Sequence, residues 1–396
     1  MSEHPTLRVD EFADAVLTSI REQQRDRSLR TVDDSIAPIP RINGHGALLF
    51  CGSNYLDLAH HPEVVEAAAR GARDWGCASG GSRLINGNLR CHEQLEEELA
   101  DYLGTEAALV FGPGYMANVG IVPALAEAGD LILSDALSHA SLIDGCQLSK
   151  ASVRVFPHSD VDALQSLLEQ ERTRFRRVLL AVDGLYSMDG DIAPLTEFVE
   201  LAERYDLMLL VDDTHATGTI GEDGRGSASR CGVAPQRIDM QLGSLAKALG
   251  SYGSFVAGTR GMRNLLINTC RSFIFSCALP PPQVEAARAA LKVMRREPER
   301  QQRLQHNGDY LRDALQAQHI DTGPSSTHVV PVVVGSNQAT MNLCENLLQQ
   351  GFFTQGIRYP SVPDGTARLR LTVTSSHQEK EIDSLVGAIT QTMHRE

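Results

Sequence analysis

The 396-residue sequence predicts an α/β protein, with a large domain on a mostly parallel seven-stranded sheet and a smaller α+β domain after it. Three observations predict this. Short apolar runs at 107–111, 131–134, 152–156, 178–183, 207–212, 238–242 and 253–258 are separated in part by helical stretches at 114–128, 139–149, 160–171 and 194–205. Strands buried on both faces, with helices as crossovers, read as unbroken apolar runs of this kind. Chemically able residues then follow the run ends, namely Gly112, Gly114, Asp183, Ser187, Asp212, His215 and Lys247. Open sheets bind ligands at the carboxyl ends of their strands. Finally, Pro280-Pro281-Pro282 ends the alternation in a chain too long for one ordinary core.

In order along the chain, residues 8 to 30 space Phe12, Val16 and Ile20 as an amphipathic leading helix. Gly44-His45-Gly46 is a turn between extended pieces at 40–42 and 47–51. Pro62 sits just inside a helix start, with Val64, Val65 and Ala68 on its apolar face. Leucines 95, 99 and 103 give the helix at 91–103 one buried stripe. After the alternating region come a long helical segment over 283–318, a strand at 329–334 and a helix at 337–350. An extended piece at 352–359, a strand at 367–373 and a final helix from 377 complete the tail. The division expected is 1–50, a leading helix and extended segment, then 51–282 and 283–396 as large and small domains.

Composition narrows the function. A hydrophobic content of 42 % with 22 % charged residues describes a globular protein, and a net charge of −14 argues against a nucleic-acid or acidic-membrane surface. Met1-Ser2-Glu3-His4-Pro5 carries no signal pattern, and the longest apolar runs are strand-sized, so a cytoplasmic chain is expected. Eight scattered cysteines without a Cys-x-x-Cys pair read as reduced thiols.

Lys247 lies in the small-residue run Gly243–Gly250, 35 positions after Asp212 of Val211-Asp212-Asp213-Thr214-His215. A desolvated lysine loses its proton readily and can attack a carbonyl, while a strand-end carboxylate can keep a pyridine nitrogen protonated. Pyridoxal phosphate (PLP) requires both. Taken alone, a lysine and an aspartate are more often a surface pair. Phe111-Gly112-Pro113-Gly114-Tyr115-Met116-Ala117-Asn118 nearly matches a dinucleotide fingerprint, so a nicotinamide oxidoreductase is the rival class. That reading leaves Lys247, Asp212 and His215 without work. Metal binding by Asp212, Asp213 and His215 lacks a supporting ligand cluster, and no metal is expected. His139 is either a helix-start surface residue or an imidazole stacked on a flat ring. Arg368 and Arg370 share a strand face, forming either a solvated edge or a carboxylate grip.

The motifs Gly52-Ser53-Asn54-Tyr55-Leu56, Ser79-Gly80-Gly81-Ser82-Arg83, Ser138-His139-Ala140-Ser141-Leu142 and Tyr186-Ser187-Met188-Asp189-Gly190-Asp191 carry a resemblance. Asp212-Asp213-Thr214-His215, the Lys247 loop, Phe275-Ser276-Cys277 and Thr366–Thr372 extend it to the end of the chain. Together they resemble the α-oxoamine synthases, PLP-dependent enzymes of the aspartate aminotransferase fold (fold type I).

The resemblance implies a fold, an activity and a set of roles. Lys247 would hold the cofactor aldehyde and move the substrate proton. Asp212 would bind the pyridinium nitrogen, His215 and Ser187 would lie near the ring oxygen, and His139 would stack on the ring. Gly114, Tyr115 and Ser244 would hold the phosphate, with Ser276 reaching it from a partner subunit. Arg370 would bind the amino-acid carboxylate, with Asn54 nearby. Ser82 and Arg27 complete the substrate-binding residues expected. The implied reaction joins a small amino acid to an acyl-CoA or acyl-carrier-protein thioester, with loss of CoA and CO₂, in a homodimer. The motifs favour the branch that uses L-alanine and a pimeloyl thioester, whereas Tyr359-Pro360 is similar to the glycine-using ligases.

Overall fold

The computed structural model describes residues 8–33, 40–42 and 44–394. The reading of Met1–Pro5 therefore concerns residues outside the described ones. Seven strands form the large sheet: β1 (Ala107–Phe111), β2 (Leu131–Asp135), β3 (Ser152–Phe156), β4 (Val178–Asp183), β5 (Met208–Asp212), β6 (Met240–Ser244) and β7 (Ser254–Gly258). Their spatial order is β1-β7-β6-β5-β4-β2-β3. β2 to β6 pair in parallel, while β7 runs antiparallel to both β6 and β1. Every residue of β2, β4, β6 and β7 is buried, which is why these strands read as unbroken apolar runs.

The C-terminal part adds an antiparallel sheet, β8 (Val329–Gly335), β9 (Gly356–Ile357) and β10 (Ala367–Thr372), in the order β8-β10-β9. One core runs through both parts, from Phe50 and Leu99 through Leu249 and Leu291 to Leu371 and Ile389.

Several boundaries differ from expectation for identifiable reasons. The leading helix is Arg8–Glu22, and it stops where Gln24 takes a left-handed φ of 54°. None of its residues is buried. His45 and Gly46 belong to a two-residue strand paired with Arg41–Ile42. The helix Arg90–Leu103 buries His92, Glu96 and Tyr102 as well as its leucines, because it packs between β1 and a later helix. Arg83 at 2.7 Å and Arg263 at 2.9 Å neutralise the Glu96 carboxylate there. The segment expected as one helix over 283–318 is two, Pro281–Arg296 and Glu299–Ala317, broken at Pro298. Helix Arg260–Thr269 is an addition to the expected elements, and Met262, Leu265 and Leu266 give it helical apolar spacing. Among the described residues no helix is long and apolar enough to cross a membrane.

Candidate active site

β4, β5 and β6 end side by side. Asp183 and Asp212 are register partners, so two buried carboxyl groups stand on neighbouring strand ends. Beyond β6, the chain turns back on itself through Leu245 N–H to Gly253 O and Ser251 N–H to Leu245 O, each 2.9 Å. Lys247 is held inside that turn. A cavity of about 230 Å³ opens there, and its lining includes Gly114, Tyr115, His139, Asp212, His215, Ser244 and Lys247. Seven of the expected site residues thus meet in one place.

Each polar group in the cavity has a local cause. Asp212 accepts hydrogen bonds from Asn118 Nδ2 at 2.6 Å and Thr214 N–H at 2.9 Å. Its neighbour Asp213 points the other way and is bonded to Ser227 through Oγ and N–H. Burial pushes the Asp213 carboxyl up to about 7 despite those two bonds. Asn118 also donates to Ser141 Oγ, which lies 2.7 Å from His139 Nδ1. Ser141 N–H caps the same nitrogen, so the His139 proton sits on Nε2. Backbone N–H of His139 donates to Asp183 Oδ2 at 2.9 Å. The His139 ring remains exposed to the cavity, as a stacking surface must.

Burial pushes the Lys247 amine down to about 8, with the Arg370 charge assisting and Asp212 and Asp183 opposing. Asp183 is shifted the other way, well above the carboxylate range, by burial and by the charge of Asp212. His215 is pushed well below its ordinary value by burial, then by Lys247 and Arg370. Tyr55 OH lies 2.8 Å from His215 Nδ1, and Arg370 Nη2 reaches both. Arginine can only donate, so Nδ1 is the acceptor and neutral His215 carries its proton on Nε2.

Arg368 and Arg370 share a face of β10 but differ in state. Arg368 is paired with Asp189. Arg370 donates to Ser187 O and Tyr55 OH and, among the described residues, has no acidic partner within salt-bridge distance. The grip reading therefore suits Arg370 and not Arg368.

Six expected residues lie outside the cavity lining, and Arg370 is one of them, meeting the lining through His215 Nδ1 at 3.4 Å. Asn54 has its amide occupied, accepting from Leu58 and Ala59 N–H and donating to Asp57, and Ser53 beside it faces the cavity instead. Ser82 bridges Cys277 through the backbone. Ser276 does not line the cavity of its own chain, and Ser187 reaches the site through its carbonyl oxygen. Arg27 lines a separate cleft of about 710 Å³, with Arg21, Arg30, Arg358 and Tyr359. Tyr115 lines the cavity, but its hydroxyl is bonded to Asp144 and leaves only its backbone N–H for a ligand. Sequence reasoning gave no role to Asn118, Ser141, Tyr55 or Thr214. A signal existed for Asn118, whose amide stands alone among the small and apolar residues of helix Gly114–Leu125.

The residues fit PLP on their own terms. Asn118 Oδ1 and Thr214 Oγ1 are buried without a partner. Thr214 Oγ1 faces the start of helix Gly114–Leu125, since a Cβ on Gly114 would come within 3.7 Å of it. Gly114 and Tyr115 N–H precede the first intrahelical bond, made by Met116. That is a cradle for a phosphate, with an amine, a carboxylate and an imidazole face arranged for a pyridine aldehyde. Among the described residues no group of His, Cys, Asp and Glu gathers to hold a metal ion.

Known proteins resemble this chain along nearly its whole length. The model for aminotransferase class I and II matches residues 46–389. An 8-amino-7-oxononanoate synthase of Geobacter sulfurreducens is 47 % identical over 94 % of this chain and 95 % of its own. Another, from Symbiobacterium thermophilum, is 40 % identical over 94 % and 95 %. Among solved structures, Sphingomonas wittichii serine palmitoyltransferase superposes with a TM-score of 0.90 at 28 % identity, covering 99 % of this chain and 98 % of that one. Serine palmitoyltransferase of S. paucimobilis, solved with PLP and myriocin, gives 0.91 at 29 % identity over 98 % and 99 %. Sequence, fold and strand-end chemistry converge, and the chain belongs to the α-oxoamine synthases, PLP-dependent enzymes of the aminotransferase class I and II family.

Proposed function

We propose that this chain condenses L-alanine with a pimeloyl thioester, releasing CoA (or the carrier-protein thiol) and CO₂ and leaving 8-amino-7-oxononanoate. The 40–47 % identity to synthases of that name supports the choice of substrates. The observation that carries the chemistry is a lowered Lys247 and a buried Asp212 in one small cavity, with an acid-free Arg370 behind it at 3.4 Å from the Nδ1 of the lining residue His215.

PLP, when bound, supplies an electron sink for the bonds broken at the α-carbon. Asp212 is the group for its ring nitrogen, held in place by Asn118 and Thr214. His215, with its proton on Nε2, would donate to the ring oxygen, and Ser187, joined to His215 through Arg370, would be its neighbour there. His139 offers a flat face. Gly114, Tyr115 and Ser244 supply phosphate donors. Arg370 fixes the carboxylate of the amino acid, so that one α-carbon bond at a time stands perpendicular to the ring. Lys247, whose amine burial holds down to about 8 in the cofactor-free protein, would take the α-proton and later return one after CO₂ has left.

The functional unit is proposed as a cytoplasmic homodimer, with the chain divided at residues 50 and 282. A bare Ser276, outside its own cavity beside a Phe275 that is 70 % exposed, supports a phosphate contact across the dimer. Tyr359 belongs to the Arg27 cleft, under Arg25 at 4.9 Å, and does not line the Lys247 cavity. Its likeness to glycine-using ligases thus says nothing about the amino-acid pocket. The test is thiol release by the PLP-loaded protein, with L-alanine plus pimeloyl-CoA run beside glycine plus acetyl-CoA. The first pair is expected to be preferred, and preference for the second would overturn the substrate assignment.

A further inference from the structure

His158, just after β3, takes no part in the reaction described above, yet it stands half-buried between two buried carboxyl groups, Asp135 and Asp191. Its Nδ1 lies 3.0 Å from Asp135 Oδ1 and its Nε2 2.9 Å from Asp191 Oδ2. Asp135 also accepts Leu137 N–H at 2.7 Å and Ser159 N–H at 2.8 Å, so it is an acceptor throughout. The ring must therefore donate from both nitrogens to satisfy both carboxylates. The Tyr186 ring meets it edge-on at 4.4 Å and completes its charged and titratable surroundings. Burial alone would lower the His158 pKa, but the two aspartates outweigh it and raise it to about 10.

What the cluster joins gives it a purpose. On one side, Asp135 ends β2 and fixes the turn through Leu137 that delivers His139 to the cavity. On the other, Asp191 closes a loop at its base through Tyr186 N–H to Asp191 O at 3.0 Å. The tip of that loop grips the C-terminal part. Ser187 O accepts from Arg370, Asp189 pairs with Arg368, and Gly190 O accepts from Ser326 N–H at 3.0 Å and Thr327 Oγ1 at 2.9 Å. Gly190 has a φ of 73°, and a Cβ there would lie 1.9 Å from Val329 O, so the loop and the strand β8 touch backbone to backbone.

We propose that His158 is a positioning residue: a charged brace that sets the His139 wall and the Arg370 anchor at a fixed separation. The proposal rests on the reading of Arg370 as the carboxylate anchor. It assigns His158 no contact with substrate or cofactor. Substitution should loosen the Ser187–Asp191 loop and leave Arg370 poorly aimed, while the cofactor contacts of Asp212 and Lys247 persist.

The experiment uses PLP-loaded His158→Gln and, as a milder variant, Asp191→Asn, whose amide oxygen can still accept from the ring. Amino-acid affinity is read from the cofactor absorbance change on titration, and thioester KM is read separately. His158→Gln is expected to weaken amino-acid binding about tenfold, with thioester KM changed less than about twofold and PLP retained. Asp191→Asn should give a smaller weakening in the same direction. Nitrogen-15 NMR of histidine-labelled wild-type holoenzyme should show both His158 ring nitrogens protonated from pH 6 to 9. Equal losses for amino acid and thioester, unchanged amino-acid affinity, or a ring that deprotonates near neutral pH would each overturn the brace. Should the wild-type holoenzyme bind no amino acid, the functional reading fails instead, and the NMR result still decides the state of His158.

Discussion

The floor of the cavity and its far wall are built differently. The floor comes from adjacent strand ends, where register alone places Asp183 beside Asp212 and a tight turn after β6 places Lys247. The wall is backed by β10, more than a hundred residues later, whose Arg370 stands behind the lining residue His215 through contacts with His215 Nδ1, Ser187 O and Tyr55 OH. Burial tunes the floor, lowering Lys247 and raising Asp183. The wall is set by pairing, since Arg368 has its acid and Arg370 does not. Under the proposed function, chemistry at the reacting bond would belong to the larger sheet and recognition of the amino acid to the smaller one.

Substitutions can break that division. The largest effect is expected at Lys247→Ala, with turnover falling on the order of 10⁴-fold or more. In wild-type protein freed of cofactor, capture of an aldehyde at Lys247 should rise through about pH 8 as the amine deprotonates, and fall below it. Full activity of the alanine variant would remove Lys247 from the mechanism. Asp212→Asn comes next. Loss of its charge should lower kcat by about 10²–10³-fold, with cofactor still bound, as read by exchange of the α-proton of alanine into solvent. An unaltered exchange rate would refute its role.

Arg370→Ala tests the wall. The loss of charge-assisted bonds worth about 1.5–3 kcal/mol should weaken amino-acid binding roughly 10–150-fold, with a smaller change in PLP affinity. Arg368→Ala, two residues away, sharpens the contrast and should alter amino-acid affinity least of all. It leaves the Asp189 carboxylate unpaired in a mostly buried place and should cost about 3 kcal/mol of stability, read by denaturant unfolding. If the two arginine variants weakened amino-acid binding equally, the distinction drawn from their partners would fail.

The floor was far more legible in the sequence than the wall. β1, β3 and β4 have the expected ends: β4 and nearly all of β1 are buried apolar runs bounded by turns, while β3, at the sheet edge, buries only Phe156. Lys247, Asp212, His215 and His139 were legible for the same reason, since each follows a strand end. What pattern could not supply was side-chain direction within a motif. Asn54 was read as the substrate neighbour, yet its amide is consumed by the turn at Leu58 and Ala59, and Ser53 faces the cavity. Arg368 and Arg370 alternate identically along β10, and only Asp189, brought in by a distant loop, separates them. Tyr55 links His215 to Arg370 across 315 positions of sequence, a contact that no local period encodes.

The reversed strand β7 has a further consequence, in the order of assembly. β1 is the first strand of the sheet to leave the ribosome, yet its sheet partner is the last, pairing Ala107 with Gly258 and Phe111 with Ser254. Until residue 258 has been made, β1 has no neighbour in the sheet and the Lys247 turn has no return strand. β10 follows later still, so Arg370, the proposed anchor for the amino acid, is among the last side chains to arrive. Pairings this distant in sequence close slowly. The catalytic floor is therefore a late product of synthesis, completed only when its two halves, begun some 150 residues apart, have found each other.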